Sequence, residues 1–163
     1  MKYIVTGGAG FIGSNLVDRL LKDGNDVTVI DNLSSEESRY RIKSGKMRHW
    51  EENFPVIIEE DIATMTDFSK FNNADGVFHL AALIGIPYSY VSPLAYIRTN
   101  LEGTYNVIES AKSYNLDQIL ITSTSETYGS AKYIPMDEKH DLVAQSPYAA
   151  SKTAADQLAL SYY

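Results

Sequence analysis

The sequence predicts an α/β domain built on a doubly wound parallel sheet. Three observations predict it: short β-branched or aromatic runs recur along the chain, longer segments of helical period separate them, and a glycine-rich turn follows the first run. Alternation of this kind places successive strands parallel, with the connecting helices on both faces.

The elements follow in order. Tyr3-Ile4-Val5 is too short and too β-branched for a helix and reads as a buried strand. After the glycines, Ile12, Leu16, Leu20 and Leu21 fall at i, i+4, i+8 and i+9, one apolar stripe of a helix that Gly24-Asn25 stops. Val27–Ile30, Val56–Ile58, Val77–Leu80 and Ile119–Thr122 give four further strands. A helix runs from about Pro93 to Tyr114, and another starts near Pro147, where proline suits a first turn. Residues 34–55 break the pattern. Arg39, Arg41, Lys43, Lys46, Arg48 and His49 concentrate positive charge there, which reads as a solvated helix or loop over the sheet edge, with a phosphate contact as the minor alternative. Ala154, Leu158 and Ala159 continue an apolar helical face to Tyr163 without a stop signal. Further strands are expected beyond it, so the chain reads as cut within its architecture.

Composition removes several functional classes. The 163 residues are 44% hydrophobic and 21% charged, a folded rather than a disordered composition. No apolar run approaches the ~20 residues of a membrane span, and the N-terminus enters a strand directly, so a cytoplasmic setting is expected. Cysteine is absent, which excludes disulfides and thiolate metal sites, and no metal is expected. Fourteen Lys+Arg against 21 Asp+Glu give a net charge of −7, which argues against a nucleic-acid surface. It leaves room for a phosphate-bearing ligand held by backbone N–H groups.

Such a ligand is what Thr6-Gly7-Gly8-Ala9-Gly10-Phe11-Ile12-Gly13 predicts. Gly7 permits a tight turn, Gly10 lets the backbone approach a pyrophosphate, and Gly13 lets the helix pack closely on the strand. The helix N-terminus adds N–H donors and the positive end of its dipole. Asp31, at the end of the second strand, can accept both ribose hydroxyls of adenosine, or simply end the strand in a turn beside Asn32. An acid there repels a 2′-phosphate, so NAD is expected over NADP.

Downstream, Tyr148 and Lys152 stand at i, i+4 on one helix face. A nearby ammonium and a cationic nicotinamide ring favour the phenolate and make Tyr148 a usable base. With Thr6–Gly13, Asp31-Asn32-Leu33, Asp61-Ile62, His79-Leu80-Ala81-Ala82, Asn100 and Thr124-Ser125-Glu126 in order along the chain, the sequence closely resembles the extended short-chain dehydrogenase/reductases, the NAD-dependent epimerase/dehydratase family acting on nucleotide sugars. The resemblance implies a Rossmann fold, with 1–163 an incomplete NAD-binding domain and the C-terminal substrate domain of the longer family members absent. It implies that Asp61 and Ile62 hold the adenine, that Leu80, Ala81 and Ala82 lie near the nicotinamide, and that Asn100 is a further cofactor-side contact. Gly7, Gly10, Phe11, Ile12, Gly13, Asp31, Asn32, Ser35 and Thr122, with Tyr148 and Lys152, complete that set. It implies also that Thr124 is the hydroxyl partner of Tyr148. His79 reads as a buried strand histidine rather than a catalytic one.

Position 126 bears on the reaction. After oxidation at sugar C4, the C5 proton is acidic, and a carboxylate placed there removes it and drives loss of the C6 hydroxyl. Glu126 stands where family dehydratases carry that base; before it, where glucose-type dehydratases often carry Asp, stands Ser125, as in mannose-type dehydratases and in UDP-glucuronate decarboxylases. One carboxyl then serves as base and afterwards as acid. Leu83–Pro93 and Gln145-Ser146-Pro147-Tyr148 resemble dehydratases acting on nucleotide-linked N-acetylglucosamine in legionaminic-type synthesis. The expected activity is therefore an NAD-dependent nucleotide-sugar 4,6-dehydratase. 4-Epimerisation, decarboxylation of UDP-glucuronate, and an NAD-binding module without turnover are the alternatives. A two-fold dimer is expected through the helices from Pro93 and Pro147, with Tyr96, Ala150 and Ala154 on the shared face.

Overall fold

A computed structural model describes residues 1–43 and 54–162. Five strands form one parallel sheet: β1 (Lys2–Thr6), β2 (Asp26–Asp31), β3 (Val56–Glu59), β4 (Gly76–His79) and β5 (Gln118–Ile121), in the order β3-β2-β1-β4-β5. The order reverses between β1 and β4. Open parallel sheets bind ligands at that point, beyond the carboxyl ends of the strands.

Helix α1 (Phe11–Lys22) follows β1, and α2 (Glu36–Lys43) follows β2. A short α3 (Ile86–Val91) precedes one continuous helical run made of α4 (Pro93–Tyr96), a π-helical segment (Ile97–Glu102) and α5 (Gly103–Ser113). Helix α6 (Pro147–Ser161) ends the described chain. Gly24, in the left-handed region at φ 79°, and Asn25 close α1 by donating to Leu21 O and Leu20 O, as the sequence predicted. Two cores sandwich the sheet. Val5, Val17, Leu20, Leu21, Val27 and Val29 fill one face; Ile4, Ile30, Ile62, Phe71, Val77 and Val107 fill the other. Burying each such side chain contributes about 1.5–3 kcal/mol.

Two details differ from the sequence reading. Ile12 is 63% exposed, so the buried stripe of α1 runs through Val17, Leu20 and Leu21 instead. Ile12 opens on the cleft described below. Tyr96 is fully buried and cannot lie on a dimer face, whereas Ala150 is exposed and Ala154 half-buried. The basic segment contains α2, where Arg39 donates to Ser34 O at 3.0 Å. Lys46, Arg48 and His49, and the side chains of Arg41 and Lys43, lie outside the described residues. No helix among the described residues is long and apolar enough to cross a membrane.

Candidate active site

A cleft of about 620 Å³ opens at the carboxyl ends of β1, β2, β4 and β5. That volume lies within the range of small-molecule sites. A larger cavity, about 830 Å³, lies between β4, β5 and the last turns of α6, and contains none of the sequence-predicted site residues.

The glycine turn forms the floor of the cleft. Gly7 adopts φ +70°, and a Cβ there would meet Ala81 N at 2.7 Å; a Cβ at Gly13 would meet Gly7 O at 2.2 Å. Both contacts are closer than real side chains allow, so glycine is required at each. The close packing of Gly13 is against the turn itself. Helix α1 starts after Gly10 with no side-chain cap, and Gly10, Phe11, Ile12 and Gly13 line the cleft. An uncapped helix start on a glycine cradle suits a pyrophosphate.

At the next strand, the Asp31 carboxylate accepts from Ala9 N (3.1 Å) and Leu33 N (2.9 Å). It therefore does end the strand in a turn, with Leu33 held at φ 49°. Two N–H donors still leave a carboxylate about two acceptor positions, enough for a pair of ribose hydroxyls. Asn32 donates to Asp61 at 3.1 Å, which joins the two acids of this end, and Ser35 and Ile62 share the wall. Glu60 beside them is neutralised by Lys70 Nζ at 2.5 Å.

Leu80, Ala81 and Ala82 form the opposite side, and Thr122, Thr124, Tyr148 and Lys152 close it. Ser146 caps α6 by accepting from Ala149 N at 3.0 Å, and Pro147 occupies the first turn, which sets Tyr148 at the cleft mouth. The Tyr148 ring packs edge-on against buried Tyr96 at 6.1 Å, whose hydroxyl donates to Ile84 O and Gly85 O. Lys152 is 5% exposed and donates to Thr122 O at 2.7 Å. Burial lowers its pKa, and the carboxylate of Asp156 pulls it back up.

Three predicted residues stand apart from the lining. Asn100 is buried behind the wall, its amide bonded to Leu83 N, Leu83 O and Ser151 Oγ. The π-helical turn carries it inward and presents its neighbour Thr99 to the cleft. Ser125 and Glu126 are exposed on a 3₁₀ turn (Ser125–Tyr128) that Thr124 caps through Glu126 N at 3.3 Å. His79 is buried, as the sequence reading held. The Thr104 hydroxyl donates to Asn100 O, so it accepts from His79 Nε2–H, and His79 Nδ1 accepts from Thr6. Burial first, then the Lys152 charge, pushes the His79 pKa down to about 3 and keeps the ring neutral.

Sequence reasoning missed Ser34, Ser38, Leu83, Ile84, Thr99 and Ser123 in the lining. Ser34 and Ser123, each between two predicted residues, had a local signal, and Leu83 and Ile84 begin the stretch the resemblance had singled out. Among the described residues, no group of three or more His, Cys, Asp or Glu could hold a metal.

A parallel sheet reversing at a glycine turn, with a Tyr-x-x-x-Lys helix across the cleft, defines the Rossmann-like extended short-chain dehydrogenase/reductases. The model of the GDP-mannose 4,6 dehydratase family matches residues 4–163, and the chain belongs to that family of nucleotide-sugar enzymes. It is 33% identical over 165 residues to a UDP-N-acetyl-alpha-D-glucosaminuronate decarboxylase of Bacillus cytotoxicus, covering 98% of this chain and 49% of the relative. A UDP-N-acetylglucosamine 4-epimerase of Methanobrevibacter ruminantium M1, solved with UDP-N-acetylmuramic acid, superposes with a TM-score of 0.86 at 37% identity, over 99% of this chain and 50% of that one. TunA, an NAD-dependent NDP-hexosamine 5,6-dehydratase of tunicamycin biosynthesis, gives 0.86 at 28% identity, over 99% and 50%. The chain thus spans about half the length of the curated relatives it matches.

Proposed function

We propose that the chain is the NAD-binding part of a nucleotide-sugar 4,6-dehydratase. One observation carries this reading: the glycine cradle and Asp31 share a single cleft with Thr124, Tyr148 and Lys152, and Glu126 lies two residues beyond Thr124 on the turn that Thr124 caps, exposed and outside the lining. The residues fit NAD, because the cradle excludes any Cβ at Gly7 or Gly13 and Asp31 retains acceptor positions for a diol. Bound NAD supplies a reversible hydride acceptor. Tyr148 takes the proton of the sugar C4 hydroxyl, Lys152 stabilises the phenolate, and Thr124 holds the reacting oxygen. Glu126 removes the C5 proton and returns a proton to the departing C6 hydroxyl, which leaves as water. Return of the C4 hydride to C6 and of a proton from solvent to C5 completes the 4-keto-6-deoxy sugar and leaves no net change in the cofactor. The other half of the relatives' length is expected to supply the nucleotide-sugar pocket. Association through α4–α5 and α6 remains the expected pairing, with Ala150 and Ala154 at the contact.

Mass spectrometry of products from a nucleotide-sugar panel separates the candidate reactions. The dehydratase reading expects a product lighter by one water. A product of unchanged mass marks an epimerase, one lighter by carbon dioxide marks a decarboxylase, and either outcome overturns the assignment.

The cofactor preference follows from Asp31. Calorimetry is expected to show much tighter binding of NAD than of NADP, and Asp31→Ala is expected to narrow that gap. Equal affinities in the unaltered chain contradict it.

A further inference from the structure

Beyond β5 the backbone leaves the sheet, and three residues, Thr122–Thr124, lead into the turn that carries Glu126. What orients that turn against α6 is a separate question from what reacts there. On the sheet side, Thr122 N donates to His79 O at 3.1 Å. The bonds of Thr124 remain inside the turn: its Oγ1 accepts from Glu126 N, and its carbonyl accepts from Thr127 Oγ1 at 2.7 Å. Val143 N donates to Thr127 O at 2.9 Å, a bond that leads to the following loop rather than to α6.

Two side chains one helical turn apart on α6 reach the segment itself. Lys152 donates to Thr122 O at 2.7 Å, and the Asp156 carboxylate accepts from the hydroxyl of Ser123. Tyr148, Lys152 and Asp156 are spaced i, i+4, i+8 and so share one face. A segment held at one point can pivot about it, whereas two attachments on consecutive residues remove that rotation.

We propose that Asp156 is a positioning residue: with Lys152 it clamps Thr122-Ser123 onto α6, and so fixes Thr124 and the Glu126 turn relative to Tyr148. The catalytic consequence rests on the reading of Tyr148, Thr124 and Glu126 given above; the clamp itself does not. The same carboxylate favours the charged form of Lys152 against its burial. Ser123 is exposed and Asp156 half-buried, so solvent weakens their bond and the expected effect is moderate.

Hydrogen exchange on the 163-residue chain tests the clamp without turnover. In Ser123→Ala and in Asp156→Ala, the amides of 123–128 are expected to exchange about tenfold faster, while those of β1 and β4 do not change. The double variant is expected to exchange no faster than either single one. Asp156→Asn, which keeps an oxygen acceptor, is expected to stay near the parent. Unchanged exchange in the alanine variants, additive effects, or acceleration spread over the whole sheet overturns the clamp. A turnover arm separates it from the functional reading: kcat of Asp156→Ala is expected to fall about tenfold with KM within about twofold. Full turnover by Tyr148→Phe sinks the functional reading while the exchange result still judges the clamp. An inactive Tyr148→Phe beside an unaltered turn in Asp156→Ala sinks the clamp alone.

Discussion

Tyr148→Phe is expected to lower kcat for nucleotide-sugar turnover by about 10²–10⁴-fold, the usual contribution of a positioned general base. The substitution removes one oxygen and keeps the ring, so the edge-on contact with Tyr96 survives and α6 retains its Ser146 cap. Lys152 also keeps its place, because its anchor is the Thr122 carbonyl rather than the phenol. Cofactor affinity is therefore expected to change little by calorimetry, and the loss falls on proton removal at C4. A variant that turns over at the parent rate removes Tyr148 from the chemistry. A variant that loses cofactor binding instead shows that the phenol holds the ligand.

Much of this arrangement is legible in the amino-acid sequence because it depends on local chemistry. The five strands are short β-branched or aromatic runs, and all five form within a residue or so of their predicted places. The Gly24-Asn25 stop and the Pro147 start are set by groups within a few residues. The glycine turn is legible for the same reason: only glycine tolerates φ +70° at Gly7 or the approach to Gly7 O at Gly13.

What the sequence hides depends on contacts between distant segments. Periodicity placed Ile12 in the core stripe, yet the cleft mouth claims it, because a helix that starts at a ligand site exposes its first turn there. Tyr96 looked like a surface aromatic; its burial follows from the Ile84 and Gly85 carbonyls, 12 and 11 residues away, and from the Tyr148 ring packed against it. Asn100 has no sequence signal that separates a cofactor contact from a wall support. The π-helical turn, which adds a residue to an otherwise regular helix, decides its direction. The Ser123–Asp156 bond spans 33 residues, and no spacing rule anticipates it.

Glu126→Gln carries the second large effect. The amide matches the carboxylate in size and is exposed on the same capped turn, so folding and the Thr124 cap are expected to be unaffected. An amide cannot accept the C5 proton, however. Loss of water is expected to fall by about 10²–10⁴-fold, with binding of the nucleotide sugar preserved. Product formation at the parent rate shifts the weight toward epimerisation, which needs no base at C5.

The most direct measurement is proton exchange at sugar C5, followed by nuclear magnetic resonance in deuterated water with the parent protein and Glu126→Gln side by side. The account predicts a 4-keto-6-deoxy product that carries deuterium at C5 with the parent, and no exchange at C5 with Glu126→Gln. A product that keeps its C5 proton and differs only in configuration at C4, or undiminished exchange in Glu126→Gln, contradicts it.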